Sequence, residues 1–202
     1  MKKKPATTEK NYGSNDVLHV AADLCKKLEE LGSPFCVIGG VANQRWGEPR
    51  QTVDVDATVF LDFGDEQSIT EQLLKLFPAR VKDPIQFAIA NRIVLLTSNE
   101  GTGIDISLGG LPYERRVIER STIWSVKDHG DIRTCCAEDL VVLKAFASRS
   151  QDWLDIEKVV TRQNKKLNRE LVHQELAPLA ELKEEPEILQ RLTQIFESAS
   201  DF

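Results

Sequence analysis

The 202-residue chain lacks any apolar run of the roughly 18 residues that a membrane-spanning helix requires. Its longest apolar stretches, such as the one around Val141–Leu143, are strand-sized or belong to amphipathic helices. A surplus of positive charge is also missing: the formal net charge is −6, which argues against a protein whose main role is to coat nucleic acid. It leaves room for a local basic patch, and carboxylates gathered at a metal site would add to the negative sum. The four cysteines, Cys25, Cys36, Cys135 and Cys136, match neither a zinc knuckle nor a disulfide framework, so they read as reduced packing thiols. His19, His129 and His173 are scattered and take no role. Met1–Lys10 is basic but has no apolar segment behind it, so it does not read as a secretory signal. Residues 1–14 are expected to be a flexible tail, and the protein to be cytoplasmic with no membrane partner. The remainder, at 41% hydrophobic and 29% charged, has the composition of an ordinary globular chain.

Asp16 to Leu31 carries Leu18, Ala21, Ala22, Cys25, Leu28 and Leu31 at helical spacing and stops at Gly32. Phe35–Ile38 reads as a buried strand broken by Gly39-Gly40, and Val41–Trp46 as a short helix. Thr52 to Leu61 alternates as a strand does, with Val53, Val55, Ala57 and Val59 on one side and Asp54, Asp56 and Thr58 on the other. A helix is expected over Gln67–Phe77, a strand pair around Asn91-Arg92 within Gln86–Ser98, and a short strand over Gly103–Ser107. Thr122–Val126 and Ile132–Cys135 read as a hairpin. From Ala137 onward the pattern is helical, with helices near Glu138–Ala147, Gln151–Thr161, Arg169–Leu182 and Pro186–Ala199. The expected fold is α+β: a small mixed β-sheet in residues 15–136, then a helical half over residues 137–202 sharing its core.

The chemistry concentrates between Phe35 and Phe60. Alternation puts Asp54 and Asp56 on one strand face, close enough to share a cation, with Val53 and Val55 anchoring the other. Two carboxylates held so repel each other unless a divalent ion occupies the site. Gly39-Gly40 lets the backbone approach a ligand, and the following helix start offers free N–H groups to phosphate. The third glycine of a dinucleotide fingerprint is missing. Asp105, between Ile104 and Ile106 on its own short strand, supplies a third carboxylate. Such a set suits two Mg2+ ions, with Mn2+ as a substitute, Asp54 and Asp56 bridging and Asp105 on the nucleophile side. Arg45 and Arg50, between the glycines and the carboxylates, are candidate phosphate contacts or surface ion pairs. Arg162, Lys165, Lys166 and Arg169 form a basic cluster, either a solvated loop or a nucleic-acid guide. Trp46, Trp124 and Trp153 read as packing residues, with base stacking an alternative for Trp46.

Ile38-Gly39-Gly40, thirteen residues, then Asp54-Val55-Asp56 resembles the pattern of the polymerase-beta-like nucleotidyltransferases. The longer run through Arg45-Trp-Gly-Glu-Pro-Arg-Gln-Thr-Val-Asp-Val-Asp56 looks most like the abortive-infection type nucleotidyltransferase toxins of type IV toxin–antitoxin systems. Glu138-Asp139-Leu140, Leu143-Lys144-Ala145 and Arg149-Ser-Gln-Asp152-Trp-Leu-Asp155-Ile156 are similar to the segment those proteins place after the sheet. The resemblance spans residues 36–156 and has no clear counterpart in residues 165–202. It implies that Lys144 faces the nucleotide phosphates as a catalytic group and that Asp152 or Asp155 borders the site. Without the resemblance, Lys144 is a surface lysine, and Asp152 and Asp155 are helix-start charges. The second glycine stands where catalytic members often carry serine. The implied activity is transfer of an NMP from an NTP to an RNA, protein or small-molecule acceptor, with a toxin-like role and an antitoxin partner. An acidic pocket from Glu181–Glu187 would suit an antibiotic acceptor. The alternative is a non-catalytic nucleotide- or partner-binding module on the same fold.

Overall fold

The computed structural model describes residues 15–199, so the expected tail over residues 1–14 lies outside the described residues. Helix α1 (Asn15–Leu31) buries Val17, Val20, Ala21, Leu24 and Leu28, a stripe at helical period, and ends where Gly32 takes a left-handed φ of 70°. Strand β1 (Phe35–Val37) runs into α2 (Gly39–Trp46), and β2 (Asp54–Phe60) follows. Next come α3 (Glu66–Leu73), α4 (Pro84–Asn91), β3 (Ile93–Thr97), β4 (Gly103–Gly109) and α5 (Pro112–Glu119). The hairpin β5 (Thr122–Val126) and β6 (Gly130–Thr134) completes the sheet. The chain then continues as α6 (Ala137–Ala147), α7 (Ser150–Gln163), a short 3-10 turn, α8 (Arg169–Lys183) and α9 (Glu187–Ser198). None of the described helices is long and apolar enough to cross a membrane.

The six strands lie in the order β3-β4-β2-β1-β6-β5. The β2–β4 and β1–β6 pairs are parallel and the others antiparallel, so the sheet is mixed as expected. Alternation sorts each strand between two cores. Val55, Ala57 and Val59 of β2 and Ile104, Ile106 and Leu108 of β4 pack with α1, α3 and α4 on one face. Cys36 and Cys135 belong to the second core, with Ala42, Tyr113 and Val117 and the buried faces of α6 to α9. Each large aliphatic side chain buried this way contributes about 1.5–3 kcal/mol relative to an exposed one. Two ion-paired junctions fasten the helical half. One joins α5, α6 and α8: Arg120 bonds Asp139 at 2.6 and 2.9 Å and Glu175 at 2.8 Å, while Arg116 bonds Glu175 at 2.6 and 2.9 Å. The other joins Arg50, Lys144 of α6 and the α7 carboxylates Asp152 and Asp155, described below.

Three local expectations are corrected. Gln86–Ser98 is not a strand pair: residues 84–91 form α4, started by Pro84, and Arg92 turns the chain into β3 with a left-handed φ of 50°. Arg92 holds that strained corner by donating to Leu108 O at 2.8 Å, pairing with Glu66 and stacking on Phe63. Helix α5 was not anticipated; Pro112 starts it, and the Glu114 carboxylate accepts from the Gly110 and Leu111 N–H groups at 2.8 Å. Val53 precedes β2 and is 70% exposed, so Val55, Ala57 and Val59 anchor the strand without it. The cysteines are free, with Cys25, Cys36 and Cys135 buried, and Trp153 is fully packed.

Candidate active site

The open part of the second sheet face carries the three carboxylates. In the parallel β2–β4 ladder, Asp56 lies opposite Asp105 and Asp54 opposite Gly103. All three aspartates are half-buried at the ends of their strands, beyond the cover of α5 and α6. Helix α2 aims its start at the same place. Gly39 has a φ of 59°, and a Cβ there would stand 2.7 Å from the Asp56 Cγ, so only glycine fits so close to that carboxylate. A side chain at Gly40 would collide with Thr52, its Cγ2 only 2.6 Å away. The Gly40 N–H favours the ionised form of the Asp56 carboxylate. The two glycines thus press a helix N-terminus against the Asp56 carboxylate.

Burial, then the charges of Asp54 and Asp105, push the Asp56 carboxyl up to about 6, against smaller opposing effects of the Gly40 N–H and Arg149. Burial likewise raises Asp105, opposed by Arg80 and reinforced by Asp54. Hard carboxylate oxygens crowded until they resist ionisation match the chemistry of a divalent-cation site. Among the described residues, no three such side chains are grouped to hold a metal ion, and Asp105 is turned to an ion pair with Arg80. A stability prediction follows for the metal-free protein. Asp56 binds its proton more tightly folded than unfolded, so stability is highest below the ordinary carboxylate range and falls as pH rises through about 6. The expected loss is about 2 kcal/mol between pH 4 and pH 7. Denaturant titrations across that window check it, and Asp56→Asn should flatten the dependence.

The cations near the site are engaged within the fold, and Arg50 takes the ion-pair alternative offered for it. Lys144 is buried, its ammonium 2.6 Å from Asp155 Oδ2 and 3.2 Å from Asp152 Oδ1, so it bridges two helix α7 carboxylates. Arg50 donates from Nε and Nη2 to the same Asp155 at 3.1–3.2 Å, and Gln151 adds a bond at 3.1 Å. Burial alone would raise the Asp155 carboxyl, but the bonds from Lys144, Arg50 and Gln151 outweigh it and hold the carboxyl below its usual value. Arg45 turns to the hairpin, donating to Thr122 O and Thr134 Oγ1 at 2.9 Å and to Ile123 O at 3.2 Å, so it braces α2 against β5 and β6. Trp46 packs beneath it, its Nε1 donating to Cys135 O at 2.8 Å. The basic cluster is partly spent too: Arg162 bonds Gly47 O, and Arg169 donates to Phe196 O at 2.8 Å.

Two site residues escaped the sequence reading. Arg80 reaches Asp105 from the segment between α3 and α4, and no spacing signals that meeting. Arg149 caps the entry to α7, with Nε 2.6 Å from Asp152 Oδ2, and its side chain is 77% exposed. The Asp152 bond chiefly raises it, with the Asp56 and Asp54 charges adding to the effect. Arg149 is therefore an exposed cation whose charge acts on the carboxylates, aimed by Asp152, which Lys144 holds in turn. The i, i+3 placement of Arg149 and Asp152 was the available signal.

With this geometry in view, likeness to known proteins can be stated. The fold is shared with an antigenic nucleotidyltransferase-like protein from Paracoccidioides brasiliensis, at a TM-score of 0.51 and 18% identity, covering 88% of this chain and 93% of that one. The antibiotic-resistance factor ANT(2'')-Ia in solution gives a TM-score of 0.57 at 13% identity, covering 86% and 96%. A crystal structure of ANT(2'')-Ia in complex with adenylyl-2''-tobramycin gives 0.54 at 16% identity, covering 84% and 99%. No curated protein matches the chain in sequence. The family model described as "Nucleotidyl transferase of unknown function (DUF2204)" matches residues 17–194, and the chain belongs to that nucleotidyltransferase family.

Proposed function

We propose that this chain moves a nucleotidyl group from an NTP to a hydroxyl of a small-molecule acceptor, with Mg2+ held by Asp54, Asp56 and Asp105. The observation that carries the reading is the register of Asp56 opposite Asp105, with the Gly39–Gly40 helix start pressed against Asp56. The acceptor oxygen bonds to the α-phosphorus as the bond to the bridging oxygen breaks and pyrophosphate leaves. Asp105, once released by Arg80, takes the acceptor proton. Bound Mg2+ would polarise the phosphoryl group and offset charge on the leaving pyrophosphate. The α2 N-terminus and Arg149 hold the triphosphate. Two facts favour a small acceptor over RNA. Arg162 and Arg169 of the basic cluster are engaged within the fold, and ANT(2'')-Ia, which shares it, is named with an adenylylated antibiotic. ATP is accordingly the first donor to test.

Calorimetric titration of Mg2+ with non-hydrolysable ATP, CTP, GTP and UTP into wild type and Asp54→Ala/Asp56→Ala tests the reading. Metal-dependent binding by wild type, lost in the double variant, is expected. A folded wild type that binds no NTP defeats the enzyme reading and leaves a binding module on this fold. Within the proposal, Arg149→Ala should raise the NTP KM roughly tenfold or more, the loss of one charge-assisted phosphate contact. Steady-state pyrophosphate release would measure it, and an unchanged KM would remove Arg149 from the triphosphate site.

A further inference from the structure

The sheet face that carries the carboxylates continues past them. Two residues beyond Asp56 and Asp105, Thr58 and Ser107 lie opposite each other in the same ladder and on the same face, about 7 Å along the strands. There a cavity of about 90 Å³ is lined by Ile38, Thr58, Ser107, Glu114, Val117 and Leu143. Ile38 immediately precedes Gly39, so the cavity adjoins both the α2 start and the carboxylates.

Its chemistry is one-sided. Three oxygen-bearing side chains line it and no lysine, arginine or histidine does. Thr58 is 5% exposed, yet its Oγ1 has no hydrogen-bond partner. A buried hydroxyl in that state is a penalty the fold carries unless a ligand or water answers it. Glu114 uses Oε2 on the Gly110 and Leu111 N–H groups, which leaves Oε1 unengaged among the described residues. The walls of Ile38, Val117 and Leu143 supply apolar cover. At roughly 30 Å³ per water the volume suits about three waters, or an arm of a few heavy atoms ending in a hydrogen-bond donor. A phosphate or carboxylate would meet Glu114 with no cation to compensate, so anions are rejected.

We propose that this cavity receives the amino-alcohol arm of a small acceptor, with the hydroxyl bonded to Thr58 and Ser107 and the ammonium beside Glu114. The inference rests on the nucleotidyl-transfer reading and names the acceptor class for it. The acceptor hydroxyl that attacks lies elsewhere on the same molecule, on the Asp105 side, and the pocket sets which molecules present it there.

Ethanolamine, ethylene glycol and inorganic phosphate are the probes, read by 1H–15N NMR on the full chain, with Mg2+–ATP binding measured on the same preparation. Ethanolamine should give saturable shifts at the Thr58 and Ser107 amides, ethylene glycol weaker ones, and phosphate none there. Thr58→Val keeps the shape and should weaken ethanolamine about fivefold, the worth of one net hydrogen bond. Glu114→Gln keeps an oxygen for Gly110 and Leu111 and should erase the preference for ethanolamine over ethylene glycol. The proposal is overturned if wild type that binds Mg2+–ATP shows no ethanolamine shift at these amides, or if both variants bind it as wild type does. Ethanolamine binding without Mg2+–ATP binding sinks the transfer reading and the acceptor role with it.

Discussion

Replacing Lys144 with methionine is expected to lower stability by about 3 kcal/mol, because it leaves two buried carboxylates short of their shared cation. Asp155 and Asp152 have side chains only 1% and 4% exposed, and the Lys144 ammonium lies between them. Arg50 and Arg149 remain, one for each carboxylate, which keeps the expected loss at the low end for a broken buried pair. In a chain of this length the midpoint of thermal unfolding should fall by roughly 6–12 °C. Adding Asp152→Asn to Lys144→Met should recover part of the loss, since the amide tolerates burial better than an uncompensated charge. The same experiment separates two roles for Lys144. A large stability loss with nucleotide affinity reduced only through Arg149 fits a lysine that aims the clamp. An unchanged midpoint with abolished turnover would show instead that Lys144 touches the nucleotide, as the motif resemblance implies.

The strand that carries Asp54 and Asp56 was legible because its two faces meet different surroundings. Val55, Ala57 and Val59 enter the core under α1, while the aspartates stay at the open face, so the period of two is written in the residues. The short Gly103–Gly109 strand was legible for the same reason. Helix α4 was not, because Ile85, Phe87, Ala88, Ile89 and Ala90 offer no polar stripe, and a short apolar run reads equally as strand or helix. Its end at Arg92 uses a left-handed non-glycine residue, a cue invisible without the Glu66, Phe63 and Leu108 contacts that hold it. Helix α5 left a clue in Pro112 and Glu114, but the charged run Glu114-Arg115-Arg116 masks the Tyr113–Val117 stripe. The site cations were the least legible. Arg45, Arg50 and Arg80 lie 25 to 105 residues from their partners, so spacing could not say that Arg45 braces the hairpin, that Arg50 joins Lys144 on Asp155, or that Arg80 occupies Asp105.

Gly39→Ala is expected to slow nucleotidyl transfer roughly a hundredfold while costing about 1–2 kcal/mol of stability. The stability cost comes from a φ of 59° that a Cβ resists. The rate cost has a different origin: the added methyl would stand 2.7 Å from Asp56 Cγ, so either the carboxylate or the α2 start must move. Both belong to the proposed site, and a displacement of about 1 Å between reacting groups can cost a hundredfold. Asp56→Asn should cost more, roughly a thousandfold, because it removes a charge from the cation site and not only its alignment. The two changes act through one side chain, so their effects should not add. Gly39→Ala/Asp56→Asn should be no slower than Asp56→Asn alone, since the smaller error has nothing left to misplace. Pyrophosphate release at saturating Mg2+ and ATP would measure all four proteins. A fully additive cycle would mean that Gly39 acts on the phosphate through the helix start and not through Asp56. A near wild-type rate for Gly39→Ala would move the reaction away from Asp56 altogether.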